Sequence, residues 1–409
     1  MSAFGDAGMA HSMRSSARGL GSRQTDIRAY NERLLISLIR RHGSLSKAEL
    51  ARLARLSPQA ISVIMRKLED DGLLTRGDVL RGKIGQPSTP MSLAADGALS
   101  LGVKIGRRSA EVVLINFIGE VKASLREPYA WPMPDAIADF VRKSVAAIMA
   151  TLSPGERARI SGVGIASPFE LWNWAEEVGA PKGVMDVWRD ADLVQALASE
   201  LPFPVYLEND GTAACGAEFI FGKGQDFASY LYLFIGFFIG GGLVLNGSLF
   251  LGATGNAGAI GSFPITRPDG RKGQLIDVAS SLTLEAQIKA AGLDPTRLWR
   301  EDNGWEQFEP FIDQWIKEIA PYLAEAITAT SSIVDMHAAV IDGGFPAWVR
   351  ARIVDETKKA VTALDVSGIA IPLIVEGQVG AQARAVGGAC LPFFDKYILS
   401  SAPILAETA

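Results

Sequence analysis

The stretch SKAELARLARLSPQAISVIMRKLEDDG, residues 46–72, carries two helix starts in close succession. Ser46 and Glu49 form a capping box, in which hydroxyl and carboxylate satisfy each other's otherwise unpaired backbone N–H groups, and Leu50 and Leu53 supply a buried face. After Arg55 and Leu56, Ser57 is placed to cap and Pro58 to occupy the first turn of a further helix. Its Ile61, Ile64, Met65 and Leu68 recur at helical spacing, and Gly72 stops it. Upstream, Asn31 to His42 sets Leu34, Leu35, Leu38 and Ile39 on one stripe, with Gly43 at the C-terminal stop. Three short helices with a tight turn between the last two predict a helix-turn-helix.

The third helix leaves Ser57, Gln59, Ala60, Ser62, Val63, Arg66 and Lys67 at its start and on its outer face. Gln pairs with adenine, Ala and Val meet a thymine methyl, Ser serves either edge, and Arg or Lys takes guanine or phosphate. Leu73 to Arg76 and Pro90 to Leu93 read as two short strands around the basic, glycine-rich segment Arg81 to Pro87. This is a wing, with Arg81, Lys83 and Gln86 as its expected DNA contacts. A solvated helix face and a plain surface hairpin are the bland alternative, but they do not account for wing cations so near the recognition helix.

Composition agrees with a small nucleic-acid-binding unit on a larger body. The chain has 409 residues and a net charge of −5, yet residues 1–90 hold 15 Lys and Arg against 8 Asp and Glu, a balance of +7. The remainder holds 25 against 37, a balance of −12. Such asymmetry suits a chain that meets a polyanion at one end. The length calls for two or three domains, and 48% hydrophobic residues provide for sizeable cores. Cys215 and Cys390 are too few and too distant for a disulfide framework, and neither a signal peptide nor a membrane span is evident, so a cytoplasmic location is expected.

From residue 99 the pattern changes to apolar strands, Leu99–Ile105, Ser109–Ile115, Ile160–Ile165, Val205–Glu208, Tyr230–Ile235 and Gly240–Leu245, alternating with helical stretches at Ala136–Ala150 and Gly211–Phe221. Asn246-Gly247 marks a hairpin, so part of the sheet is antiparallel. A further strand, Val340 to Asp342, runs into the turn Gly343-Gly344. The expected fold class is therefore α/β behind a winged helix-turn-helix.

Five segments in order resemble the ROK family of repressors, open reading frames and sugar kinases: Gly162 to Pro168, Val205 to Asp210, Ile239 to Gly242, Gly252 to Gly258, and Gly343-Gly344. The resemblance covers the chain from about Asn31 onward. It implies a two-lobed, actin-like (ribonuclease H-like) ATPase fold, and the winged helix ahead of it matches the layout of the family's repressors, in which a carbohydrate modulates operator binding. It also implies ligand contacts from Asn209 and Asp210, with Glu208, Ser167 and Asn256 nearby and Ala259 and Ser262 at further family positions. A carboxylate accepts two hydroxyl hydrogen bonds and a carboxamide donates and accepts, which suits a vicinal diol. The alternative for the pair is local capping of strand end and helix start. Trp172, Trp174 and Trp188 add a candidate stacking surface, with buried packing as the alternative for each.

Departures from the family decide between kinase and regulator. Where the family's kinases carry Asp followed by Gly-Gly-Thr for the phosphate end of ATP, this chain has Lys104-Ile105-Gly106-Arg107-Arg108. Where a second loop reads Gly-Thr-Gly, it has Gly236-Phe237-Phe238. The Glu and His of the sugar and zinc segment are Ala259 and Ser262, and Phe263 to Leu284 contains no cysteine. No metal and no cofactor are therefore expected. The expected protein is a non-enzymatic transcriptional regulator, most simply a repressor of carbohydrate-utilisation genes. Its partners would be double-stranded operator DNA, a sugar-like ligand, and further copies in a homodimer or homotetramer. An active sugar kinase with a DNA-binding module, and a ligand-independent DNA-binding protein, are the competing readings. The expected organisation is a flexible arm at 1–24, the winged helix at 25–93, a first lobe at 94–225 rejoined by a C-terminal helix at 381–409, and a second lobe at 226–380.

Overall fold

A computed structural model of the chain describes residues 23–78, 89–300 and 304–399. Its first three helices are α1 (Arg23–His42), α2 (Lys47–Ala54) and α3 (Pro58–Asp70), followed by the antiparallel strands β1 (Leu74–Arg76) and β2 (Met91–Leu93). Leu35, Ile39, Leu50, Ile61, Met65 and Leu68 are buried together between the helices. Helix α1 starts well before the expected Asn31, because residues 26–30 extend an exposed turn that carries no apolar stripe. The segment Arg81 to Gln86 and residues 1–22 of the expected arm lie outside the described residues.

Contacts divide the chain into two compact units, one reaching Glu208 and resuming at Gly388, the other Asn209–Gly387. The winged helix is part of the first. Arg33 of α1 donates from Nη2 to the carbonyls of Phe394 at 2.6 Å and Ile398 at 2.7 Å, and the Leu399 N–H donates to Ser37 Oγ at 3.1 Å. The rest of this unit is a five-stranded sheet in the order β5-β4-β3-β6-β7, made of β3 (Leu99–Ile105), β4 (Ser109–Asn116), β5 (Val121–Pro128), β6 (Ile160–Ser167) and β7 (Val205–Asn209). Strand β4 runs antiparallel to β3 and β5, while β3 and β6 are parallel. The helix Pro134–Thr151 covers it through Ile137, Val141, Val145 and Ile148.

The second unit repeats that plan. Its sheet runs β10-β9-β8-β13-β14, from β8 (Tyr230–Ile235), β9 (Ile239–Leu245), β10 (Ser248–Phe250), β13 (Ala338–Gly343) and β14 (Leu373–Glu376), with a separate hairpin of β11 (Pro264–Thr266) and β12 (Lys272–Gln274). Three antiparallel strands are again extended by two parallel ones on the side of the first. The long helix Glu309–Val334 buries Trp315, Ile316, Ile319, Leu323 and Ile327 against this core. The division falls at 208/209 where 225/226 was expected. The helix Asp210–Phe221 packs on β9, since a Cβ on Gly211 would lie 2.8 Å from the Gly241 backbone. Only a residue without a Cβ at 211 lets the helix approach the strand backbone so closely.

Candidate DNA interface and ligand site

Local chemistry sets the helix-turn-helix. The Ser46 N–H donates to Glu49 Oε2 at 2.8 Å and the Glu49 N–H to Ser46 Oγ at 3.3 Å, completing the capping box. These bonds hold the Glu49 carboxyl below its usual range. Arg55 closes α2 in the left-handed region at φ 53°, which turns the chain sharply enough for Ser57 to cap α3 through a 3.2 Å bond from the Ala60 N–H. Gln59, Val63 and Arg66 are exposed on the outer face, and Ala60 and Ser62 are half-buried beside them. Arg55 and Arg66 make no ion pair among the described residues. Lys67 is turned elsewhere: its ammonium bonds Asp71 and Glu32, each at 2.9 Å, and those partners push its pKa up. It braces α3 against α1 and leaves Gln59, Val63 and Arg66 as the exposed side chains of the expected reading set on this helix.

The two turns expected to depart from phosphate binding occupy matching places in their units, each joining the first two strands of its sheet. In the first, Lys104 on β3 faces Glu111 across the ladder, with Nζ to Oε2 at 3.8 Å. Arg107 donates to the carbonyls of Val178 at 3.1 Å and Ala130 at 3.4 Å, and the Tyr129 hydroxyl donates to the Gly106 carbonyl at 2.6 Å. In the second, Phe237 and Phe238 pack edge to face with ring centroids 4.8 Å apart, and Phe237 is 9% exposed. The matching zinc segment is the β11-β12 hairpin, where Lys272 Nζ donates to Thr266 Oγ1 at 2.7 Å and Arg271 Nε to Asp269 Oδ2 at 2.6 Å. With no thiol or imidazole in that segment, these residues do not fit a tetrahedral zinc centre.

Of the expected ligand residues, Ser167 and Glu208 belong to the first unit; Asn209, Asp210, Asn256, Ala259 and Ser262 belong to the second. Asn209 Oδ1 accepts from the N–H groups of Gly211 at 3.0 Å and Thr212 at 3.3 Å, so its carboxamide oxygen caps the helix Asp210–Phe221. The loop bearing Asn256, Ala259 and Ser262, all three exposed, is held to β9 by a backbone approach: a Cβ on Gly258 would sit 2.6 Å from the Gly242 Cα. Asp210 has a partner that sequence reading missed. Arg384 Nη1 donates to Asp210 Oδ2 at 3.2 Å, the two side chains 16% and 19% exposed, and the guanidinium lies 5.0 Å over the Phe234 ring. The one signal for it was a lone charge in the otherwise uncharged run Gly380 to Cys390. Among the tryptophans, Trp188 is buried with Nε1 donating to the Pro132 carbonyl at 3.0 Å, and Trp172 carries the Arg189 guanidinium at 5.2 Å.

Residues 100–392 match the ROK family. The chain belongs to the ROK family. Residues 28–75 of this ROK protein also match the winged helix-turn-helix DNA-binding family, over α1 to α3 and β1. The chain is similar to a putative xylose repressor of Caldicellulosiruptor sp., 26% identical with 64% of this chain and 67% of that protein covered. It is also similar to the DNA-binding transcriptional dual regulator NagC of Escherichia coli, 22% identical over 76% of this chain and 74% of that one. The fold matches a solved ROK family transcriptional regulator, a homologue of the E. coli MLC protein, with a TM-score of 0.64, 21% identity and coverage of 92% and 98%. No helix among the described residues of the ROK protein is long and apolar enough to cross a membrane.

Proposed function

We propose that this ROK protein is a DNA-binding transcriptional regulator, a repressor of carbohydrate-utilisation genes, whose operator binding responds to a sugar-like ligand and which does not phosphorylate that ligand. One observation carries the reading: a capped helix-turn-helix with an exposed reading face shares a chain with a ROK domain whose two phosphate-type turns are filled by its own side chains. Filled turns argue against the kinase alternative, because phosphoryl transfer needs backbone room and a metal-binding carboxylate where Arg107, Phe237, Phe238 and Lys104 stand. The relatives named as a xylose repressor and as NagC support the regulatory reading. Paired half-sites call for a homodimer or homotetramer.

The ligand site is centred on Asp210 and Arg384. A hydroxyl placed beside this bonded pair donates to the carboxylate and accepts from the guanidinium, and Asn209, fixed by its capping bonds, orients the start of the helix beneath. Ala259 and Ser262 remove the family's Glu and His from the site, which shifts preference away from the family's usual hexose. The test is an electrophoretic titration of full-length protein on promoter DNA from its own and adjacent genes, with and without D-xylose, N-acetylglucosamine, sugar acids and polyols. Sequence-specific binding weakened by one of these compounds is expected. DNA binding that ignored the whole panel would remove the ligand site, and phosphorylated sugar formed from ATP would restore the kinase.

A further inference from the structure

The outer face of α3 is not uniformly polar. Val63 is 56% exposed, and with Ala60 and Ile64 it floors an open hollow of about 390 Å³ rimmed by Arg28, Ser57 and Gln59. Ala60 and Val63 stand three positions apart on one helix face, their Cβ atoms separated by roughly 5–6 Å. An apolar hollow open to water is stabilised when an apolar group fills it. What fills this one is limited by its rim. Gln59 offers the paired donor and acceptor that match an adenine edge, and the exposed cations Arg55 and Arg66 flank the same helix. The segment 28–75 is itself of the winged DNA-binding type. In the major groove the apolar feature that distinguishes one base pair from another is the C5-methyl of thymine.

We infer that Ala60 and Val63 read the methyl group of a thymine in each operator half-site, beside the position read by Gln59. The inference rests on α3 being the groove-reading helix and adds the base class that it selects. Its test starts with selection of binding sites from random duplex DNA by the full-length protein. Each conserved thymine is then replaced singly by deoxyuridine, which removes the methyl and keeps the base pair. At one thymine per half-site the affinity falls about fourfold, the worth of one buried methyl-sized group. In Val63→Ala the thymine-to-deoxyuridine ratio shrinks toward one, while the melting temperature stays at that of the parent. A selected site whose thymines all tolerate deoxyuridine would overturn the inference and leave DNA binding intact, as would an unchanged ratio in Val63→Ala. A selection that enriched no sequence would remove α3 as a reader altogether.

Discussion

The two units build the same sheet order, and each turns between its first two strands at a place where the family's kinases hold phosphate, yet the two turns are closed in different ways. The turn Gly106–Arg108 is closed by polar bonds, through Arg107 to two carbonyls and Tyr129 to a third. The turn Gly236–Phe238 is closed by two phenyl rings. Different chemistry thus reaches one result, a turn whose long side chains pack on the protein itself. The reading face of α3 is the counterpart: Gln59, Val63 and Arg66 there remain exposed. Arg107 and the two phenyl rings are taken up by internal contacts, whereas these side chains of α3 are left to water.

The contrast can be broken most severely at the aromatic turn. Phe237→Ala removes a ring that is 9% exposed and should lower unfolding stability by about 2–4 kcal/mol in denaturant titration, whereas a loss below about 0.5 kcal/mol would show the rings to be superficial. Opening that turn should still yield no sugar phosphate from ATP, because Lys104 remains at the carboxylate position. Gln59→Ala should leave stability unchanged and lose about 1–3 kcal/mol of discrimination between operator and mismatched DNA, read by competition binding. Arg107→Ala leaves two carbonyls to find water and should destabilise by about 1–2 kcal/mol, less than the aromatic change, which a differential melting curve would rank. The smallest effect is expected outside the described residues: Arg81→Ala or Lys83→Ala in the wing should weaken all DNA sequences alike and reduce the salt slope by about 1.

Much of this was legible in the sequence where burial writes a simple pattern. The strands β3, β4, β6, β8 and β9 are continuous apolar runs, and the caps at Ser46 and Ser57 follow from residue type and spacing. Strand β5 escaped notice because it is mostly exposed, with Lys122, Arg126 and Glu127 along it. The helix Glu309–Val334 continues through Pro321, a residue that sequence reading takes as a helix end. The capping alternative for Asn209 was available from its position, and its carboxamide oxygen does cap. The pairing of Arg384 with Asp210 was out of reach, since no spacing rule links residues so far apart in the chain. The bond from Lys67 on α3 to Glu32 on α1 was likewise out of reach, because it joins two helices that no spacing rule connects.

The central claim, a regulator on a disabled kinase scaffold, is tested most directly by capturing fragmented genomic DNA with the purified full-length protein and sequencing what is retained. The account predicts a small set of fragments sharing a roughly two-fold motif, located at promoters of carbohydrate-utilisation genes and bound at least about 10³-fold more tightly than bulk DNA. Retention spread evenly over the genome, with no shared motif, would contradict it.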